Sequence, residues 1–408
     1  MAGTVASPAS LRSRSSTRTL AVVFAGFCAF LTLYAPQPLL PMLADAFQVS
    51  AKSVTRVMGI STFAVVLAAP LVGILADRMG RKQVIVRSAL LLALPSLLAA
   101  TSTGLNQLLF WRFWMGVFTP GIFAVTIAYI NEEWSEGAGS AMSAYVGGTV
   151  LGGFSGRMVS GFVAAETSWR WSFVALGVLT LAGGIAMWAW LPGDRRTARK
   201  LREGAAREIE NSSVARAMLR HLQDPRLAAT YVVGFGLLFT LVAAFTYVNF
   251  YLAAPPFKLT TKGLSLVFTV YLVGAAVTPM SGRVIDRMGH RFALTMATVC
   301  GAAGMALTLV PILWAVIAGL AMCCTGVWIS QSAATSYIGT VARQARAAAV
   351  GLYVMFYYLG GSCGSEVPGH FWARGGWPVC VALIVAVQIL SIAVGVAFWR
   401  PERAAAGA

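Results

Sequence analysis

Charge is what this 408-residue chain has least of: 11% of its residues are charged, against 58% hydrophobic, and only 14 are acidic. A soluble domain carries about 25% charge, so this much apolar surface cannot be hidden in a water-soluble core, and a bilayer must take it. Histidine occurs three times and cysteine six. The cysteines sit in or beside apolar runs with no Cys-x-x-Cys and no nearby histidine cluster, which excludes both a disulfide framework and a zinc site; adjacent Cys323 and Cys324 read as helix packing. No Gly-x-x-x-x-Gly-Lys-Ser/Thr loop is present, so direct use of ATP is not expected. No nucleophile–base set stands out either, so the chain reads as a non-enzyme with no cofactor. The net charge of +17 and pI near 10.2 come from basic residues scattered over many short loops, a pattern that fits anionic lipid and not nucleic acid.

What is there is hydrocarbon-length sequence, written twice. About 20 residues at 1.5 Å each cross the hydrocarbon layer, and twelve such stretches are legible: 19–43, 53–76, 83–101, 105–130, 138–164, 170–192, 227–252, 262–285, 292–311, 314–338, 347–371 and 376–400. The tetrapeptide Asp77-Arg78-Met79-Gly80 returns as Asp286-Arg287-Met288-Gly289. Upstream, Phe47-Gln48-Val49-Ser50 and Lys52 match Phe257-Lys258-Leu259-Thr260 and Lys262 at an offset of 210. Downstream, Tyr145, Gly152, Gly153, Gly156, Gly161 and Trp169 match Tyr353, Gly360, Gly361, Gly364, Gly369 and Trp377 at an offset of 208. Collinear matches with so small a drift indicate a duplicated six-span unit.

The expected organisation is an all-α integral membrane protein of two pseudo-symmetric six-helix bundles: a tail over 1–18, a first bundle over 19–192, a basic linker over 193–226, a second bundle over 227–400 and a short tail over 401–408. Arg12, Arg14 and Arg18 precede an apolar run too long for a cleaved signal, and Pro36, Pro38 and Pro41 suit a kinked first helix. Lys and Arg gather in cytoplasmic loops; placing the N-terminus inside puts most of them, both tails and both Asp-Arg-Met-Gly copies in the cytoplasm. The loop holding Glu132, Glu133 and Glu136 dissents. Val214, Met218 and Leu222 give the linker one short amphipathic helix.

At these residues the chain resembles the major facilitator superfamily. Gly73-Ile74-Leu75-Ala76-Asp77-Arg78-Met79-Gly80-Arg81-Lys82 is similar to that family's signature between spans two and three, with a degenerate second copy from Gly282 to Arg291 in which His290 replaces an arginine. The resemblance implies a monomer in the bacterial inner membrane and alternating access by rocking of the halves around a central cavity. It also implies that Asp77, with Arg343 or Arg346 as partner, latches the cytoplasmic side when the protein faces outward. Arg112, followed four residues later by Gly116, is similar to the family's second motif, with Met115 where many antiporters have glutamine. An intramembrane cation is costly unless it meets a partner or a cavity; snorkelling to the interface is the alternative. Gly147, Gly148, Gly152, Gly153, Gly156 and Gly161 resemble the antiporter motif of exporters without its Gly-Pro pair, around an embedded Arg157. Plain helix packing explains the same glycines, with Gly361 and Gly364 in the second half.

Glu366 is the one acidic residue inside a span, with His370 a turn later. Proton coupling uses a membrane carboxylate whose proton affinity can move. Counted from Ala347, Glu366 stands roughly 28 Å along its helix, near the outer surface, where a gate is the other possible role. The family packs span two beside span eleven, which makes Arg56 its partner. Spans one, four, seven and ten line the family's cavity, giving Tyr34, Gln37, Trp114, Tyr247, Asn249, Trp328 and Gln331 as substrate contacts, with Tyr357 from span eleven; packing or interfacial roles are open for each. Such walls, aromatic and short of fixed charge, suit a moderately amphipathic small molecule. The function expected is proton-driven efflux, by antiport, of a drug, sugar or metabolite. Uptake by symport or uniport is the close variant, and a non-transporting sensor or scaffold is the alternative from another class. If the topology is right, reporter tags on the two ends will both read out in the cytoplasm; tags on opposite sides would end the two-bundle reading.

Overall fold

A computed structural model describes residues 8–134, 138–193, 211–342 and 344–399. Both tail tips, most of the linker and Arg343 lie outside the described residues, as do the side chains of Val214 and Asp286. The helices, in chain order, are α1 (Pro8–Leu31), α2 (Leu40–Phe47), α3 (Ala51–Val54), α4 (Arg56–Met79), α5 (Arg81–Ala99), α6 (Leu105–Glu133), α7 (Ala138–Glu166), α8 (Trp169–Trp190), α9 (Asn211–Gln223), α10 (Pro225–Ala253), α11 (Thr261–Val267), α12 (Val270–Met288), α13 (His290–Leu307), α14 (Leu313–Val341) and α15 (Arg346–Phe398). Among the described residues there is no strand. Seven helices, counting α3 and α4 as one, are long and apolar enough on their own to cross a membrane.

Two details depart from the sequence expectation. The first span is broken and not merely kinked: α1 stops at Leu31 and the chain makes a 3-10 turn at Gln37–Leu39 before α2, because Pro36, Pro38 and Pro41 remove amide donors and restrict the residues before them. Helix α1 also reaches back to Pro8, into the expected tail. At the far end, spans eleven and twelve are the two arms of α15, joined where Gly375 and Gly376 leave helical geometry, Gly376 at φ +63°.

The duplication is visible in backbone angles. Gly80 closes α4 at φ 94°, ψ 143°, and Gly289 closes α12 at φ 81°, ψ 159°; only glycine adopts this region without strain, and in each case the next helix starts at the following residue. Gln48 and Lys258 share left-handed φ values of 52° and 50°. Two residues on, Ser50 and Thr260 cap α3 and α11 by accepting the amides of Ser53 and Gly263.

Packing repeats as well. A side chain on Gly152 or Gly156 would run into the Phe27 or Leu31 carbonyl of α1, and one on Gly360 or Gly364 into the Phe235 or Phe239 carbonyl of α10. All four residue pairs are related by the same offset of 208, so small residues bring α1 onto α7 and α10 onto α15 in one geometry. Gly361, expected in this role, meets only the side chains of Leu238 and Val242; its neighbour Gly360 makes the backbone approach. Gly148, which lies on the Val23 backbone, has Phe356 as counterpart, and Phe356 stacks on Tyr231, the counterpart of Val23, at 5.6 Å. One crossing is thus closed by backbone contact in the first half and by rings in the second. Gly156→Leu is expected to force α1 and α7 apart and to cost about 3 kcal/mol, the upper end of ordinary overpacking, read as a lowered Tm of the purified protein; an unchanged Tm would refute the close approach.

Candidate functional site

Helix α4 sets the scale. Arg56 opens it and Asp77 nearly closes it, about 32 Å apart at 1.5 Å per residue, so the two residues stand at opposite faces of the bundle.

At the Arg56 end the halves are joined. Arg56 Nε lies 3.9 Å from Glu366 Oε2, both side chains partly exposed, and Lys262 Nζ lies 3.7 Å from Glu166 Oε1. Exposed pairs of this kind contribute about 0.2–1 kcal/mol. The buried contacts between them weigh more. The Tyr247 hydroxyl, which donates to the Ser365 carbonyl of its own half at 2.7 Å, lies 3.1 Å from Thr55 Oγ1 of the first half, and Ser362 donates to the Gly59 carbonyl across the seam at 3.1 Å. Gly59 and Gly161 admit Ser365 and Ser265 where a larger residue would clash. The seal therefore joins α4 to α15 and α7 to α11, the same pairing in both directions.

At the other end, Asp77 stays within its own half. It lies 3.6 Å from Arg81, whose guanidinium holds Glu132 through two bonds of 2.6 and 2.5 Å. Glu132, in the last turn of α6, thus neutralises an arginine of the signature segment. Arg346 lies against Gly339 of the second half, so the Asp77–Arg346 latch is not formed. Arg78 and Arg287 are exposed.

The two intramembrane arginines differ in kind. Arg112 does not snorkel. It is fully buried and donates to the Val57, Thr32 and Leu33 carbonyls at 3.0, 2.9 and 2.6 Å, tying α6 to α4 and to the end of α1. Arg157 is 3% exposed and lies between the halves. Its Nε donates to Gln37 Oε1 at 2.8 Å and one terminal nitrogen to the Gly153 carbonyl at 2.7 Å. Its guanidinium carbon sits over the rings of Tyr34, Phe268 and Tyr271 at 5.2, 4.9 and 4.5 Å. Gln37 in turn donates to Thr246 Oγ1 of the second half at 3.3 Å.

The remaining cavity candidates divide. Tyr34 and Gln37 belong to the Arg157 cluster. Tyr357 donates to Gln331 at 3.0 Å and stacks on Tyr353; its neighbour Tyr358 meets Phe123 of the first half at 5.6 Å. Trp328 packs beside Gly274. Three expectations are corrected. Trp114 precedes Phe123 by nine residues, about two and a half turns, which puts it on the opposite side of α6 with ring partners only from that helix. Tyr247 belongs to the seal at the Arg56–Glu366 end. The Asn249 amide folds back on the Phe245 carbonyl of its own helix. Sequence reasoning missed Phe268, Tyr271 and the Lys262–Glu166 pair; Lys262 was marked by its repeat partner Lys52, while nothing in the sequence distinguished the two rings.

The family model described as Major Facilitator Superfamily matches residues 22–365. The chain is 31% identical to the uncharacterized MFS-type transporter YybF of Bacillus subtilis (strain 168), over 92% of this chain and 91% of that protein. It is 30% identical to the inner membrane transport protein YnfM of Escherichia coli (strain K12), over 94% and 90%. Among solved structures, a point mutant of the nucleoside transporter NupG superposes with a TM-score of 0.77 over 94% of this chain and all of that one, at 14% identity, a likeness of fold.

Arg112→Met is expected to leave three carbonyls without their donor and to cost on the order of 3 kcal/mol. Arg112→Lys should recover only part of this, since an ammonium cannot fork between helices as a guanidinium does. Thermal unfolding in detergent measures both, and equal Tm values for all three proteins would show that the clamp carries no stability.

Proposed function

The chain belongs to the major facilitator superfamily, and from that premise we propose that this membrane transporter is a proton-coupled antiporter exporting a drug, sugar or metabolite by alternating access. The observation that carries the reading is the lopsided joining of the halves: among the described residues, the bonds of Arg56 with Glu366, Ser362 with Gly59, Tyr247 with Thr55 and Lys262 with Glu166 gather at the Arg56–Glu366 end, while Asp77 and Arg346, at the other end, keep to their own halves. A protein so joined is closed toward the outside and ready to open toward the cytoplasm. In the opposite state the outer bonds are broken, and Asp77 is free to reach across to Arg343 or Arg346.

Protons enter at Glu366. As a carboxylate it holds Arg56 across the seam; protonated from the outside it loses that attraction, and the outer side is free to open. Return of the proton to the cytoplasm restores the pair. The helical cores of both halves move as bodies, since glycine contacts bind α1 to α7 and α10 to α15. The proton gradient is the only driving force needed, no cofactor takes part, and the working unit is a monomer in the bacterial inner membrane with both ends in the cytoplasm. A lipid bilayer surrounds it, and no nucleic acid is a partner.

Reconstituted vesicles holding a pH-sensitive dye, with a gradient imposed across them, test this directly. Candidate solutes should dissipate the gradient only when the protein is present. Glu366→Gln should abolish that coupled flux if the residue carries the proton, and should mainly alter labelling of outer-face cysteines if it is a gate. Unchanged flux together with unchanged labelling would remove Glu366 from either role.

A further inference from the structure

The two buried guanidiniums pose a contrast that transport by itself does not explain. Arg112 has a carbonyl for each of its three nitrogens, all from the first half. Arg157 has two partners, both neutral, and its remaining amino nitrogen has none among the described residues. No described carboxylate pairs with it: Glu366 is engaged with Arg56 and Glu166 with Lys262. Its positive charge is faced only by three aromatic rings, one from the first half and two from the second. A ring face offsets about 0.5–2 kcal/mol of a cation's burial, whereas removing an unpaired ion from water costs several kcal/mol even after relaxation. The site is thus short of one negative charge.

A second group points to the same place. The Tyr34 hydroxyl, on a side chain 8% exposed whose ring faces the guanidinium, has no hydrogen-bond partner. The free guanidinium nitrogen and this hydroxyl can both donate, which is the complement of an oxyanion and not of an amine. Phe268 and Tyr271 complete the surroundings with apolar faces, and Gln37, which orients Arg157, also bonds Thr246 of the other half.

We propose that Arg157 and Tyr34 form the anion-recognition centre of the transported substrate, which is a small organic anion, a carboxylate in the first instance, carrying an aromatic or other flat apolar body. The inference rests on the transporter reading and narrows its substrate class. The moderately amphipathic molecule expected from aromatic walls with few fixed charges is thereby given a charge sign, since one fixed positive charge lies among the rings. Since two of the rings facing Arg157 come from the second half, an anion seated there replaces a contact between the halves and links occupancy to their rocking.

The test uses the full chain in detergent with three probes of one shape: salicylate, neutral salicylamide and cationic benzylamine. Salicylate should raise Tm saturably and the other two should not. Arg157→Gln should weaken salicylate binding at least tenfold, about 1.4 kcal/mol, and Arg157→Lys should fall between. Equal stabilisation by salicylamide, unaltered affinity in Arg157→Gln, or no saturable shift with salicylate and ring-substituted benzoates at millimolar concentration would overturn the proposal. If Arg157→Gln fails to fold, the comparison of anion with neutral analogue on the unaltered protein decides. Gradient-driven flux of neutral or cationic solutes alone would sink the anion site and leave transport standing; saturable salicylate binding without flux of any solute would do the reverse.

Discussion

A guanidinium brings five N–H donors and a full charge into a medium that offers them nothing, so in a bilayer the protein itself must be the solvent for its arginines. That constraint organises the first half of this molecule. Arg112 meets it with main-chain carbonyls from a broken helix: because α1 ends at Leu31, the carbonyls of Thr32 and Leu33 have no helical amide to accept and are turned toward the guanidinium. The break imposed by the prolines and the burial of the arginine are two sides of one arrangement. Arg157 meets the constraint only in part, with one amide oxygen, one carbonyl and three ring faces.

The difference follows the architecture. Arg112 lies inside one bundle, where neighbours are fixed and full satisfaction costs nothing in function. Arg157 lies where the bundles face each other, and any bond it made permanently across that seam would resist their separation. The same division governs the glycines. Those at 152, 156, 360 and 364 lock helices within a bundle, while Gly59 and Gly161 sit on the seam and admit Ser365 and Ser265 from the other side.

Much of this was legible in the sequence and some was not, for identifiable reasons. The duplication, the helical membrane class and the Gly80 and Gly289 turns were readable because they rest on offsets, composition and a conformation that glycine alone adopts. The pairing of Arg56 with Glu366 was within reach because the resemblance implies that span two packs beside span eleven, which sets a lone acid against a basic residue at the same depth. The roles of Arg112 and Arg157 were not separable, since their bonds go to carbonyls and ring faces from distant helices, and a carbonyl leaves no mark on residue identity. Trp114 was misassigned because membership of a cavity-lining helix does not say which side of it a residue occupies; its distance from Phe123 along the helix does.

Magnitudes explain why the seam at the Arg56–Glu366 end can be both closed and temporary. Its two exposed ion pairs are worth at most about 1 kcal/mol each, and hydrogen bonds such as those of Tyr247 and Ser362 contribute about 0.5–1.5 kcal/mol each, so the seam amounts to a few kcal/mol. One pH unit across the membrane is worth about 1.4 kcal/mol per proton. The two quantities are of one size, so in the proton-coupled mechanism proposed above loss of a single charge at Glu366, together with a substrate that bonds one state better than the other, would be enough to invert the balance. A seam built from buried contacts of Arg112's completeness would be too strong for that, and one without the Tyr247 and Ser362 bonds too weak to hold the halves together at the Arg56–Glu366 end.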